Sequence, residues 1–345
     1  VGSEMCIRDR DTTSGELIRE AGEDVGDYPI LQGSVTAGED YVVSYDSATF
    51  AILPAALTID VSAHSKDYDG TSTATVSLSD NRVPGSEFDI TYGSALFEDK
   101  HAGHGKEVTV LGIQLNGADA GNFTFNASAS DTASILPIML EIGIIAENKD
   151  YDGNSEALTS AYIVNGLVDE DEVIVSSSNG LFDSKHVGTD KPVSASVSTD
   201  GADAGNYVAN TDASTTADIT AIPLVISITA ENKPYDGNTV AGTYASISSG
   251  LVDGDAVTVS SANGAFDTKH AGTGKPVTAT VSAAGADAGN YVPNTEASTT
   301  ADITAIPLVI SITADNKPYD GNTVAGTYAT ISSGLVDGDA VTVSS

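Results

Sequence analysis

The tripeptide Tyr-Asp-Gly occurs four times, at Tyr68-Asp69-Gly70, Tyr151-Asp152-Gly153, Tyr235-Asp236-Gly237 and Tyr319-Asp320-Gly321, with spacings of 83, 84 and 84 residues. Two further motifs keep the same period. Lys-His stands at Lys100-His101, Lys185-His186 and Lys269-His270. Gly-Ala-Asp-Ala-Gly-Asn fills 117–122, 201–206 and 285–290, and is followed by Phe123, Tyr207 or Tyr291. A proline marks each junction: Pro54, Pro137, Pro223 and Pro307. Residues 222–261 and 306–345 differ only at Glu231/Asp315 and Ser246/Thr330. A period near 84 exceeds the roughly 20–50 residues of a solenoid unit. It suits a small domain with its own core and a radius of gyration of about 12 Å.

Within a repeat the apolar residues alternate. Leu224, Ile226 and Ile228 interleave with Val225, Ser227 and Thr229. Val277, Ala279 and Val281 interleave with Thr278, Thr280 and Ser282, and Val257 and Val259 with Thr258 and Ser260. Period two with β-branched residues predicts strands with one buried face, and the Gly-Asn, Asp-Gly and Ala-Gly pairs between them predict turns. No stretch carries a helical period. The expected fold is all-β, a tandem array of small β domains with about six to eight strands each. An immunoglobulin-like sandwich leads and a β-grasp-like domain is the alternative, which a helix of about ten residues or more on each sheet would favour.

The expected boundaries are 11–53 for a partial β domain, then 54–136, 137–222 and 223–306 for three full repeats and 307–345 for a truncated fourth. Ser345 aligns with Ser261, inside a repeat. Residues 1–10, VGSEMCIRDR, back-translate to a transposase sequencing adapter and are set aside as an artefact. That stretch holds Cys6, the sole cysteine, so the remainder offers no disulfide, thiol nucleophile or thiolate ligand. At the junctions, Asp302-Ile303-Thr304 leads through Ala305-Ile306-Pro307 directly into Leu308-Val309-Ile310. With no flexible linker between beads, a semi-rigid rod is expected.

A net charge of -35 opposes nucleic acid and anionic membrane surfaces. No apolar run reaches the roughly 20 residues of a membrane span; the nearest, 138–146, is interrupted by Glu141. Candidate chemistry is sparse. His64, His101, His104, His186 and His270 are read as loop histidines contacting backbone, because a catalytic site would have to be rebuilt in every repeat. Only His101 and His104 come close enough in sequence to share a metal. Asp253-Gly254-Asp255 and Asp337-Gly338-Asp339 could offer oxygen ligands to calcium, although they lack the spaced loop pattern and Asp-Gly is also a good turn. Lys233 or Lys269 could donate to an isopeptide crosslink if a buried acid lay beside the pair. Asp203-Ala204-Gly205-Asn206-Tyr207 and its copy ending at Tyr291 resemble the tyrosine corner of immunoglobulin-like domains, without the disulfide. No phosphate-binding glycine loop exists. No catalytic, cofactor-binding or metal residue is assigned.

The Lys-x-Tyr-Asp-Gly turns beginning at Lys66, Lys149, Lys233 and Lys317, with Gly-Ala-Asp-Ala-Gly-Asn-Tyr, resemble the YDG-type repeat domains of large bacterial surface proteins, including filamentous-haemagglutinin-like adhesins. Residues 11–53 look like the end of an MBG-type domain. The resemblance implies an extracellular, cell-surface, non-catalytic role and supplies no ligand. The expected function is a semi-rigid stalk or spacer in cell adhesion. The alternatives are multivalent glycan- or protein-binding repeats, or a spacer in a secreted enzyme whose catalytic domain lies elsewhere. The partner would be an extracellular ligand or a host or cell surface. No nucleic acid and no membrane insertion are expected within these residues.

Overall fold

The structure, a computed structural model, describes residues 13–39 and 41–344. The proposed adapter stretch with Cys6, together with Asp11, Thr12, Asp40 and Ser345, lies outside the described residues. Among the described residues the regular elements are strands, apart from three 3-10 turns of three residues each.

Repeat three shows the plan. Its strands are β1 (Ile222–Ala230), β2 (Lys233–Pro234), β3 (Thr243–Ser249), β4 (Thr258–Phe266), β5 (Gly272–Ala284), β6 (Tyr291–Pro293) and β7 (Glu296–Thr304). They form a three-stranded sheet in the order β3-β1-β6 and a four-stranded sheet in the order β2-β7-β5-β4. Pairing is antiparallel except for β1 with β6 and β2 with β7. The first and last stretches of the repeat therefore run side by side in parallel, from Ile222 opposite Tyr291 to Pro234 opposite Thr304. They part where the chain passes from one sheet to the other. Asparagine side chains satisfy the backbone there: Ile226 N–H donates to Asn294 Oδ1 at 2.7 Å, and Asn294 Nδ2 donates back to the Ile226 carbonyl at 3.0 Å. Asp302 N–H likewise donates to Asn232 Oδ1 at 2.7 Å. Left unbonded, buried backbone groups would cost about 1–3 kcal/mol each.

The alternating residues meet between the sheets. Ile226 and Ile228 of β1 pack with Ala279 and Val281 of β5, and Phe266, Val277, Ala301 and Ile303 form the adjoining cluster. Each buried Val, Ile or Leu side chain contributes about 1.5–3 kcal/mol, while Val225, one position out of phase, stays exposed. The two-sheet, seven-stranded form agrees with a sandwich. No helix of the length that a β-grasp domain would need is present among the described residues. The order departs from an immunoglobulin sandwich in one respect: β1 lies at the centre of its sheet, where an immunoglobulin first strand lies at the edge.

The described chain divides into two compact units. One runs to Glu141 and takes in Ile163–Ile174 and Thr199–Ala209; the other holds Ile142–Tyr162, Val175–Ser198 and the stretch from Asn210. In the first unit, repeat one follows the same plan. Phe123–Phe125 lies parallel to Ala55–Leu57, Ile135 pairs with Lys66, and Asn126 exchanges hydrogen bonds with the Ile59 backbone. Before it, Ile18–Arg19, Gly26–Leu31 and Thr49–Ile52 form a three-stranded antiparallel sheet. Strands of successive repeats are separated by one residue, Pro137 between Leu136 and Ile138, and Ala221 between Thr220 and Ile222.

Candidate functional site

The recurring motifs all lie in turns, and turns gather at the two ends of a sandwich. In the first unit, Tyr68 and Lys100 from repeat one meet Asp171, Asp203, Asn206 and Tyr207 from the turns of repeat two. The hub is Asp171, whose side chain is 1% exposed. Its carboxylate accepts from the Tyr68 hydroxyl at 2.9 and 2.8 Å, the Tyr207 hydroxyl at 2.5 Å and Lys100 Nζ at 2.8 Å. Lys100 Nζ also lies 3.3 Å from Asp203. The two tyrosine rings pack edge to face with centroids 5.7 Å apart, a preferred aromatic geometry.

Each remaining motif residue has a place around this hub. Tyr207 Oη accepts from Val168 N–H at 3.0 Å. Asp203 Oδ2 accepts from Glu172 N–H at 3.0 Å and holds the hub loop. Asn206, 2% exposed, accepts from Ala102 N–H across the joint at 2.9 Å, and its amide lies 3.4 Å from His101 Nδ1. The Tyr-Asp-Gly turn is held from within. Lys66 Nζ donates to Asp69 at 2.6 Å and to the Thr71 carbonyl at 2.8 Å, while Asp69 accepts from Thr71 N–H. Gly70 has a φ of +78°, and a Cβ there would stand 2.9 Å from Val168 Cγ1 of repeat two. The motif thus reads as a joint. Tyrosine reaches the next repeat, aspartate shapes the turn, and glycine supplies the backbone angle and lets the next repeat approach.

The second unit contains the same arrangement between repeats two and three. Asp255 accepts from the Tyr151 hydroxyl at 2.7 Å, Lys185 Nζ at 2.6 Å and the Tyr291 hydroxyl at 2.5 Å. The Tyr151 and Tyr291 centroids are 5.6 Å apart, and Val187 N–H donates to Asn290 Oδ1 at 3.1 Å. A third copy begins with Tyr235 and Lys269, both on Asp339.

The charges of the hub are set by its own hydrogen bonds. Burial pushes the Asp171 carboxyl upward, but hydrogen bonds from Lys100, Tyr207 and Tyr68 outweigh it and keep the group below the usual carboxylate range. Asp255 is held down in the same way by Lys185, Tyr291 and Tyr151. Burial, reinforced by the adjoining carboxylate, pushes the Tyr207 and Tyr291 hydroxyls up to about 12. Asp171 first, then Asp203 and Tyr68, hold Lys100 above the usual lysine range. Asp171 is thus an ionised acceptor ringed by its donors.

The sequence candidates fall into place as follows. Asp255 and Asp339, read as calcium candidates, accept from lysine and tyrosine. Among the described residues no group of three or more His, Cys, Asp or Glu is placed to hold a metal. Lys233 bonds Asp236 and Asn238 within its own turn, and Lys269 bonds Asp339. His101 and His186 contact asparagine amides rather than backbone, His64 Nε2 meets Ser77 Oγ, and His104 Nδ1 lies 3.4 Å from Ser134 Oγ. His270 stands beside Tyr235 and Asp339. The tyrosine corner differs from the immunoglobulin form: its backbone partner is 39 residues upstream, and its proton goes to the hub aspartate. Sequence reasoning missed the hub role of Asp171, Asp255 and Asp339. Their recurrence after Leu-Val-Asp-x was the available signal.

Comparison with known families decides what these joints belong to. A model of the YDG domain matches residues 53–133, 137–217 and 220–301, well over half of the chain. The chain belongs to the YDG-domain family. A model of the MBG domain (YGX type) matches residues 6–51, ahead of the first YDG domain. No curated protein matches the chain. The YDG motif is accordingly the signature of an inter-domain joint in this tandem repeat region.

Proposed function

We propose that this YDG region is a non-catalytic, semi-rigid spacer of a bacterial cell-surface protein, serving adhesion by holding another domain away from the cell. The observation that carries the reading is the shared joint. Consecutive repeats are linked by one residue and share a buried carboxylate that accepts from tyrosine on both sides. Such a joint resists both bending and twisting, because bending separates the stacked tyrosines and twisting breaks the directional hydrogen bonds. The recurring residues supply these joints, which supports a spacer over repeats that grip a ligand one by one. The absence of Trp, the strongest aromatic platform, points the same way.

The test is surface display of chains with two, four and eight YDG repeats beneath a fixed reporter domain. The spacer reading expects accessibility of the reporter through a surface polymer layer to rise with repeat number, while repeats alone bind no cells or glycans. Binding by the repeats themselves, strengthening with their number, would replace this reading with multivalent recognition.

A further inference from the structure

Resting on the joint reading above, we infer that each YDG joint is a directional key and that the first YDG repeat is built to follow an MBG-type segment, not another YDG repeat. The joint has unlike halves. A preceding repeat presents the tyrosine of Tyr-Asp-Gly and the lysine of Lys-His. A following repeat presents the hub aspartate and the asparagine and tyrosine that end Gly-Ala-Asp-Ala-Gly-Asn-Tyr. Such a contact is heterologous and runs head to tail.

Backbone hydrogen bonds align the receiving ends residue by residue. Glu87, Glu172 and Ala256 donate their N–H groups to Asp119, Asp203 and Asp287. Ser86, Asp171 and Asp255 N–H groups donate to the carbonyls of Val83, Val168 and Val252. Ser86 therefore occupies the hub position of repeat one, and Phe123 the position of Tyr207 and Tyr291. Both substitutions remove what a preceding YDG repeat needs: the carboxylate that neutralises its lysine, and the hydroxyl that completes the hub. Arg82, held by Asp80, stands where repeats two and three have Leu167 and Leu251, adding positive charge to an end that would have to receive a lysine. A tyrosine brought to this end would lose water without the hub acceptor, and an ammonium would find only Asp119, at the position of Asp203, in place of two carboxylates.

Asn122 is kept along with Asp119, and the MBG-type segment uses Asn122. Val25 N–H donates to Asn122 Oδ1 at 2.7 Å, as Ala102 N–H does to Asn206. Asn122 Nδ2 donates to Asp24 Oδ1 at 2.9 Å, where Asn206 meets the ring of His101. Asp24-Val25-Gly26 thus takes the place of His101-Ala102-Gly103, with a carboxylate for the imidazole and no lysine to satisfy. The missing hub and the missing lysine match. This is specificity by removing partners from the wrong combination.

The experiment uses the full chain and limited trypsin cleavage after the joint lysines, with fragments separated by mass. In the double variant Asp171→Ser with Tyr207→Phe, cleavage after Lys100 should rise by about tenfold while cleavage after Lys185 holds its rate in the same molecule. A second chain carries a copy of residues 137–222 inserted between Leu53 and Pro54. The copied Lys185 should be cleaved at the fast rate, and adding Ser86→Asp with Phe123→Tyr should slow it by about tenfold. Amide exchange at Val108 and Val193 reports that the repeat cores stay folded. Equal protection of the copied lysine with and without those two substitutions would overturn the key. Loss of protection at neither lysine in the first variant would instead overturn the joint reading on which the key rests.

Discussion

Two contacts in this chain use the same turn to different effect. Between repeats one and two the turn ending in Asn206-Tyr207 supports a closed polar cluster. Between the MBG-type segment and repeat one the matching turn ends in Asn122-Phe123, and only the asparagine reaches across. The backbone geometry is nearly unchanged: the preceding aspartate has φ near -100° in every copy, and each 3-10 turn spans three residues. The comparison separates two jobs. The Gly-Ala-Asp-Ala-Gly-Asn frame places an amide at the end of the sandwich. The residues at the hub position and after the asparagine decide how much is built upon it.

The sharpest way to break the distinction is to remove the hub. Asp171→Ala leaves the Tyr68 and Tyr207 hydroxyls without an acceptor, at about 1–3 kcal/mol for each orphaned group. Chemical denaturation should show that loss, and the equivalent change Ser86→Ala should cost less than about 0.5 kcal/mol because the Ser86 hydroxyl makes only an exposed hydrogen bond to the Val83 carbonyl. Next comes the glycine. Gly153 has a φ of +83° and an added Cβ would stand 2.7 Å from Val252 Cγ1, whereas Gly254, at +87°, faces open space. Gly153→Ala should cost about 2–4 kcal/mol by combining left-handed strain with a steric clash. Gly254→Ala should cost only the strain, about 1–2 kcal/mol, and thermal melts of the two variants give the difference directly.

Smaller effects refine the picture. Asn206→Ala removes a buried acceptor and should cost about 1–3 kcal/mol; Asn122→Ala, at the more exposed contact, should stay near the lower end of that range. Solution pH should act on the YDG joints through both their aspartates and their tyrosines. Because the folded-state pKa values of Asp171 and Asp255 are lowered, their contribution is present above the unfolded value of about 4 and fades as pH falls below it. Tyr207 and Tyr291 are raised to about 12, so their contribution holds below about 10 and is lost as pH rises from there toward 12. The cost of Asp171→Ala, read by chemical denaturation, should therefore be flat between about pH 5 and 9 and shrink on either side. The MBG contact has Phe123 where the YDG joints have Tyr207 and Tyr291, and should show no alkaline limb.

Much of the fold could be read from residue order. The alternation of Leu224, Ile226 and Ile228, and of Val277, Ala279 and Val281, identifies the buried faces found in the structure. The turns at Tyr-Asp-Gly and Gly-Ala-Asp-Ala-Gly-Asn fall where punctuation places them, because the positive φ at Gly70 and at Gly201, the glycine that opens the second motif, is a local requirement. The parallel pairings of β1 with β6 and of β2 with β7 were not legible, since the paired strands are about 70 residues apart and no local pattern announces a partner. The site was legible in its parts and not in its assembly. Lys100, His101 and Tyr207 stood out by recurrence, but Asp171, in Asp169-Glu170-Asp171, lacks the Asp-Gly-Asp pattern of its copies and was not singled out, and Asp255 and Asp339 read as possible calcium ligands.

By itself the sequence determined the all-β class, the repeat length and the identity of every residue that recurs, because strand alternation and turn chemistry act within a few residues. Only the tertiary structure decided what the recurrence is for. Tyr68 and Asp171 are 103 residues apart and belong to different repeats, so their hydrogen bond exists only once both sandwiches have folded and their ends have met. A motif that works by contact across a joint carries no local physical signature of its partner, and the meaning of Tyr-Asp-Gly emerges only where one repeat ends against the next.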